Sequence, residues 1–506
     1  MKFRNIEFLS NSEVKEIDAG ARKLLNTVGI KVDARDTRKL LTENGAEIDP
    51  ESKFVKIPET LIKESLKSVP DSFKLYGPDG SFDFEVNTKS TKFATIGTPV
   101  KIYDPEKKKK VKKTKLSDTI KQIKVVDSLD NILCSHIDVW PNDVSYLSLH
   151  AHCMYQWAKN TKKPYGLGCL GRLASQDMMN IASMIVNGDQ ELKENPRLVG
   201  FMNPTSPLHL PQIMTNGFKI FNDYNQPVII APEALAGTSA PVSIAGLLTQ
   251  TNAEILGSIV VSQLNNPGAP VFFGTVSHIT DMRSGNSAMG AVETGMITAG
   301  IAQLARFYNI PSRGPGAVTD SKTFDIQNGF ERLQTLMLAA QAGINYITCA
   351  GTYEATLVEA LELLVIDDEL AGIIQRVLDG IEVNEETMAL DLIEKVATNP
   401  KKGVNFLAER HTRKLLKQEL YIPKILDRNR RNTWRRKGSK DIVDLAREKV
   451  DHILGSHKPN ELSSELEEQL QEYIKKVEAR SFAEYKKAEG IDKGSVRVDH
   501  VEIKED

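Results

Sequence analysis

The chain has 506 residues, 41% of them apolar and 26% charged, with a formal net charge of −2. That composition excludes a disordered chain, leaves room for one large core or several, and argues against a nucleic-acid binder. Cys134, Cys153, Cys169 and Cys349 show no CxxC spacing, so they fit a reducing compartment better than a disulfide scaffold. The first residues, MKFRNIEFLSNSEVKEID, hold no apolar run of signal-peptide length. No segment reaches the roughly eighteen apolar residues of a membrane span. A cytoplasmic protein is expected.

Residues 1–90 read as an N-terminal cap. SNSEVKEIDAGARKLLNTVGI predicts a helix with a Ser or Asn start, Val14, Ile17, Leu24 and Leu25 inside, and Gly29 as its stop. DTRKLLTENG and IPETLIKESLKSVP predict two more helices, and SFKLYGPDGSFDFEVN a hairpin around PDG.

From residue 93 strands and helices alternate with a period of about thirty to forty residues. The expected strands are FATIG (93–97), NILCSHIDV (131–139), PYGLGCL (164–170), RLVGFMN (197–203), PVIIAPE (227–233), PVFFGTV (270–276), PSRGPGAV (311–318) and NYITCAG (345–351). Eight short strands with amphipathic stretches between them point to an α/β TIM barrel over residues 91–380. An open doubly wound sheet is the alternative; no GxGxxG follows any strand. In FERLQTLMLAAQAG, Phe330, Leu333, Met337 and Leu338 fall at helical spacing, with Gly343 as the cap. A final helical pattern starts at TYEATLVEALELL, with Leu357, Leu361 and Leu364 on one face. The run KKKKVKKTK (107–115) reads as a solvated loop or hairpin, or as a patch for an acidic partner. Residues 381–506 form a charged helical extension, with a basic RNRRNTWRRK at 428–437, suited to clamp a partner or complete a dimer.

In a barrel the chemistry sits where strands end. The candidates in chain order are His136, Asp138 and Trp140; Gly168 and Cys169; Asn203, Thr205 and Ser206; Glu233; Ser277 and His278; Arg313 and Asp320; Cys349 and Glu354. Each has a plain alternative: Glu233 or Glu354 as a helix cap, His136 as a bonded core histidine, Cys349 as a small buried hydrophobe. Arg313, among Gly and Pro, suits a carboxylate or phosphate. His150, His152 and Cys153 lie on one predicted helix, where positions i and i+2 point apart, so no metal site is expected there. HExxH, GxSxG and a P-loop are absent. The aromatics near strand ends (Tyr103, Trp140, Tyr165, Phe201, Tyr346, Tyr353) are packing residues or, gathered at one mouth, a cage for a quaternary ammonium.

FDIQNGFERLQTLMLAAQAGIN, LELLVIDDELAGIIQRVLDGIEVNEETMALDLI and the late FLAERHTRKL…PKILDR…W resemble the trimethylamine methyltransferase superfamily, as do KLLNTVGIKV and VPDSFKLYG near the start. The resemblance implies a TIM barrel and an enzyme that passes a methyl group from a methylated amine to the Co(I) of a separate corrinoid protein. Founding members carry pyrrolysine in the barrel; this chain has only the twenty standard residues. It is therefore similar to the branch acting on quaternary amines such as glycine betaine, proline betaine and carnitine. The implied cofactor, a corrinoid (cobalamin), is carried by the partner, since no DxHxxG stands near a Rossmann-like half. No cofactor or metal is expected to be bound directly. Within that picture, Arg313 grips the betaine carboxylate, Glu233 and Glu354 position the cation, and Cys349, His136 and Tyr353 complete the substrate site. A homo-oligomer is a further expectation. Two other functions compete: a non-catalytic betaine-binding or regulatory barrel, and a metal-dependent barrel lyase or hydrolase.

Overall fold

The computed structural model describes residues 5–97, 99–107, 110–137, 139–399, 405–491, 496–498 and 501–503. Eight parallel strands close into a barrel in sequence order: β1 (Lys92–Ala94), β2 (Ile132–His136), β3 (Tyr165–Gly168), β4 (Leu198–Met202), β5 (Val228–Ile230), β6 (Val271–Gly274), β7 (Ser312–Pro315) and β8 (Tyr346–Thr348). Seven fall inside the predicted stretches, and β1 starts one residue before its own. Closure is made where Tyr346 on β8 stands opposite Lys92 on β1. The helices that follow are α1 (Leu116–Asp127), α2 (Leu149–Asn160), α3 (Arg172–Ile185), α4 (Gln212–Asp223), α5 (Ile244–Asn265), α6 (Val292–Tyr308), α7 (Ile326–Ala342) and α8 (Leu361–Asp379).

These strands are apolar on both faces because each face is covered. On β4, β5 and β6 the side chains alternate: Val199, Ile229 and Phe272 join a cluster inside the barrel, while Leu198, Val228, Ile230, Val271 and Phe273 pack outward under the helices. The predicted hairpin forms (Ser72–Tyr76 with Asp83–Asn87) and plugs the lower end of the barrel. Its Phe73 meets Phe272 edge-on at 5.1 Å, and Leu75, Phe84 and Val86 share the interior cluster.

The first helix, Asn11–Thr27, starts on a Ser10/Glu13 capping box. It lies against α5, where Gly257 lets Ile30 and Leu25 approach. α5 differs from expectation: it is long and apolar enough to cross a membrane, with mean hydropathy 1.3, and 72% of that window is buried. Gln250, Asn252 and Glu254 interrupt the apolar letters, yet all three are buried too.

Two helix readings are corrected. α8 begins at Leu361, because residues 352–359 form a tight strand pair (Thr352–Tyr353 with Val358–Glu359), and Leu357 is exposed. On α7 the apolar Phe330 and Leu333 face outward, while Glu331, Arg332, Thr335 and Leu336 face inward. Period alone marked the wrong side, since the inner face is given to polar groups that reach the loops. Gly343 does cap α7, at φ 89°.

The lysine run is a hairpin, Lys101–Tyr103 with Val111–Lys113, paired in turn with Val358–Glu359. Lys108 and Lys109 lie outside the described residues. Past α8, helix Ile442–Ser456 packs on α8 and α1, and helices Ser464–Glu478 and Phe482–Glu489 on α2, α3 and α4. Asp177 on α3 anchors that tail by accepting from Tyr473 (2.7 Å) and pairing with Arg480, and it also meets His150 of α2 at 3.0 Å.

Candidate active site at the barrel mouth

Arg313 is the centre of the barrel interior. It lies within β7, one position into the strand rather than in the loop at its end, so its side chain points into the barrel and is wholly buried. Nη1 donates to the Thr275 carbonyl at 2.6 Å, and Nη2 donates to Thr348 Oγ1 and lies 3.8 Å from Cys349 Sγ. The guanidinium stacks over Phe201 at 5.3 Å. Nε is buried and has no hydrogen-bond partner among the described residues. Burial holds its acidity above that of a free guanidinium, opposed by Cys349, Tyr346 and Glu233 around it. A buried cation with a donor to spare calls for an acceptor that the described residues do not supply.

Beneath it lie Tyr346 and Phe272, tilted rings at 4.9 Å. The Tyr346 hydroxyl stands 3.0 Å from His136 Nε2, and the His136 amide donates to Thr95 Oγ1 at 2.8 Å. Gly166 makes space for that imidazole: a Cβ there would sit 1.7 Å from His136 Nδ1. Burial, and then the charge of Arg313, push the His136 pKa down to about 3. The ring is therefore neutral in physiological buffers, adding no second positive charge.

Above Arg313 the mouth is built from strained turns. Cys349 has φ 80°, and Glu354, Ala355 and Thr356 follow one another at φ 53°, 52° and 66°. Left-handed backbone at non-glycine residues costs roughly 1–2 kcal/mol each and persists only where the surroundings impose it. Here the Glu354 amide donates to the Ser321 carbonyl (3.2 Å) and the Ala355 amide to the Thr319 carbonyl (2.8 Å), tying the loop after β8 to the loop after β7. Gly351, at φ 90°, cannot be replaced without strain, because a Cβ would lie 2.3 Å from Glu359 Oε1. Ala355 packs with Met289, Val318 and Cys349 over the interior cluster.

The structure thus brings Arg313, His136 and Cys349 together, with half-buried Glu233 close enough for its field to act on Arg313. Glu354 sits in the strained turn at the rim. Tyr353 is elsewhere: with Phe324 (5.6 Å) and Tyr103 it forms a separate packed cluster outside the barrel. The aromatics do not gather at one mouth. Phe201 and Tyr346 are inside, Trp140 stacks on Tyr146, and Tyr165 stacks on Trp157 outside the strands. Asp138 lies outside the described residues. Asn203 Nδ2 donates to the Ala231 carbonyl, Ser206 Oγ to Glu254, and Ser277 Oγ to the Pro232 carbonyl, all loop-holding contacts. His278 is engaged by the Val276 carbonyl and Ser287 Oγ. Asp320 accepts from the Gly290 amide, and burial raises its carboxyl. Thr275 just past the end of β6, Thr348 at the end of β8 and Phe272 within β6 escaped the sequence reading; their only signal is a place in or beside a strand.

A closed (β/α)8 barrel with a buried, partly unsatisfied cation under a strained mouth has the architecture in which barrel enzymes carry their sites, at the strands' C-terminal ends. Comparison with known proteins makes this specific. The chain matches the family model for trimethylamine methyltransferase (MTTB) over residues 1–481, and it belongs to that methyltransferase family. It is 32% identical over 469 residues to glycine betaine methyltransferase of Desulfitobacterium hafniense (strain Y51), covering 92% of this chain and 96% of that one. It is 31% identical over 475 residues to trimethylamine methyltransferase MttB of Methanosarcina thermophila, covering 92% and 96%. A solved structure, monomethylamine methyltransferase (MtmB) of Methanosarcina barkeri, aligns at 13% identity and TM-score 0.49 over 88% of this chain and 89% of that one.

Proposed function

We propose that this chain transfers a methyl group from a quaternary amine carrying a carboxylate, of the betaine or carnitine type, to the Co(I) of a corrinoid held by a separate protein. The observation that carries the reading is Arg313: a buried guanidinium with a free Nε donor, set among aromatic rings and beside a neutral imidazole. A carboxylate would meet that donor, and the rest of a zwitterion would extend toward the mouth, past Cys349 and Glu233. The similarity to a glycine betaine methyltransferase supports the same substrate class.

The chemistry asks little of acid–base groups. The methyl carbon's bond to nitrogen breaks, its electron pair stays on nitrogen as a neutral tertiary amine, and a cobalt–carbon bond forms. The leaving group needs no proton. What the protein supplies is orientation: a carboxylate fixed by Arg313 leaves the N-methyl groups in line with an acceptor approaching from outside. Half-buried Glu233 would balance the ammonium without neutralising it by tight contact.

An acceptor arriving from outside requires a docking rim. Exposed apolar side chains surround the mouth: Val242 after β5, Met282 after β6, Val292 at the start of α6, Ile326 (86% exposed) and Phe330 at the start of α7, and Leu357 after β8. The basic helix Arg431–Arg436 leads into Ile442–Ser456, whose Arg447 pairs with Glu362 at the mouth end of α8. Together they fit a partner that binds and leaves each turnover.

The test is to incubate the protein with its corrinoid partner in the Co(I) state and a panel of quaternary amines. A demethylated product from carboxylate-bearing amines, and little from choline-like cations, is expected. Tight betaine binding with no methyl transfer would instead mark a non-catalytic binder.

A further inference from the structure

Outside the barrel, residues 381–399 and 405–422 are built unlike the rest of the described chain. Helices Glu385–Met388 and Leu390–Ala397, the turn Phe406–Ala408 and helix Arg410–Glu419 form an arm that binds to itself. His411 Nε2 donates to the Glu386 carbonyl at 3.0 Å, Lys395 pairs with Glu409 at 2.8 Å, and Lys414 pairs with Glu386. Yet the first two helices and the turn bury no residue, and the last helix buries only Leu415. Their apolar side chains face outward: Ile381 is 77% exposed, Leu390 66% and Leu407 84%, with Val383, Ile393 and Phe406 also open. With Met388, Leu416, Leu420 and Ile422 the apolar side chains of the arm expose on the order of 1,000 Å² in total. That total is comparable to the roughly 800 Å² that each side of a standard interface contributes. Helices ordered without a core of their own need another surface to repay their conformational entropy.

We propose that this arm is a self-association surface, covered by the same arm of a second copy of the chain about a two-fold axis. Its charge pattern matches itself. Residues 381–422 hold seven acidic and seven basic side chains. Beyond the pairs made within the arm, Glu385, Asp391 and Glu394 lie in the first half, and Arg410, Arg413 and Lys417 in the second. Two arms laid antiparallel place each acidic half on the other's basic half, as an isologous contact requires. The arm's position excludes the methyl acceptor as its occupant. α8 starts at the mouth, and its Asp368 accepts from the Asn131 amide just before β2. Asp379, eleven residues further on (379 − 368), therefore lies about 16 Å beyond that level, toward the closed end of the barrel. A partner seated on the mouth leaves the arm bare. The inference does not depend on which substrate the barrel takes.

Sedimentation velocity on the full chain tests it. The expected species at micromolar concentration has twice the 56.2 kDa chain mass. Leu390→Lys with Leu407→Glu is expected to raise the dissociation constant at least tenfold and give monomer, with the far-UV circular dichroism unchanged. A monomeric wild type, or a dimer indifferent to both substitutions, overturns the proposal. Should the double variant fail to fold, hydrogen exchange of the wild type on dilution decides. Protection lost in 381–422 as the dimer dissociates supports the arm; protection lost in another segment, or in none, overturns it.

Discussion

Arg313 sits where an uncompensated charge is costly, and among the described residues no carboxylate makes an ion pair with it; Glu233 acts on it only through its field. Arg313→Ala is expected to weaken transfer from carboxylate-bearing amines by about 2–5 kcal/mol, the cost of losing one partner of a desolvated charged pair. Arg313→Lys keeps the charge without the planar fork and should recover only part of it. Steady-state kinetics across zwitterionic and carboxylate-free amines reads this out, and equal losses on both would remove Arg313 from carboxylate binding. Glu254 gives a second residue-scale prediction. On α5 it accepts from the Leu208 amide (2.8 Å), Ser206 Oγ (2.9 Å) and Gln250 Nε2 (3.1 Å), holding the loop after β4. Burial raises its pKa from 4.5 to about 7 in spite of those donors. The folded state therefore binds its proton more tightly than the unfolded state. The resulting stability is fully present below about pH 4.5 and is lost as pH rises through 7, a term on the order of 3 kcal/mol. Denaturant unfolding of the wild type against Glu254→Gln from pH 5 to 8 checks it. A difference that does not change with pH would contradict the assignment.

At the scale of elements, the most telling unit is IDDE on α8. Asp367 pairs with Arg332 of α7 (Nε to Oδ1 3.1 Å) and accepts from the Gly351 amide at 2.7 Å, while Arg332 donates to the Thr352 carbonyl. Asp368 holds Asn131 before β2, and Glu369 accepts from the Lys424 and Ile425 amides. Three consecutive acids thus tie the mouth loop, the barrel wall and the C-terminal segment to one helix. Asp367→Asn leaves Arg332 buried and unpaired, and is expected to cost about 3–5 kcal/mol of stability. It should also lower kcat more than it raises KM, because the Cys349–Thr352 turn loses its anchor. Unchanged denaturation midpoint and kcat would refute that role. The sequence already marked LVIDDE as a family feature, but its reason lies in partners scattered from residue 131 to 425. The barrel strands were legible because a doubly covered strand is a short apolar run closed by Gly, Pro or a polar residue. The faces of α7 were not, because tertiary contacts assigned its inner side to Glu331 and Arg332. Arg313, His136 and Cys349, which the structure brings together, could be singled out in the sequence because they stand near strand ends. Tyr353 was misplaced beside them because the 352–359 strand pair turns it outward, and Thr348 and Thr275 were missed because inward parity is settled only when the barrel closes.

For the whole molecule, two apolar surfaces lie at opposite ends of one barrel: a rim around the mouth and the arm beyond its closed end. If the rim receives a methyl-accepting partner, Ile326→Asp with Phe330→Asp should slow transfer several-fold at low partner concentration and leave the rate at saturating partner nearly unchanged. Both residues are already in solvent, so stability should hold within about 0.5 kcal/mol. A rate that is insensitive at every partner concentration would place the dock elsewhere, with Arg435 and Arg436 next to be reversed. The central claim, that the barrel moves a methyl group from a carboxylate-bearing quaternary amine to an external Co(I), is tested most directly by single-turnover transfer from trideuteromethyl-labelled glycine betaine. The protein is mixed with its Co(I) corrinoid partner, cobalt absorbance is followed, and the corrinoid's mass is measured. The predicted result is conversion of the Co(I) spectrum together with appearance of the label on cobalt and of dimethylglycine in solution. A corrinoid left unlabelled with every carboxylate-bearing amine, while those amines still bind, would contradict it.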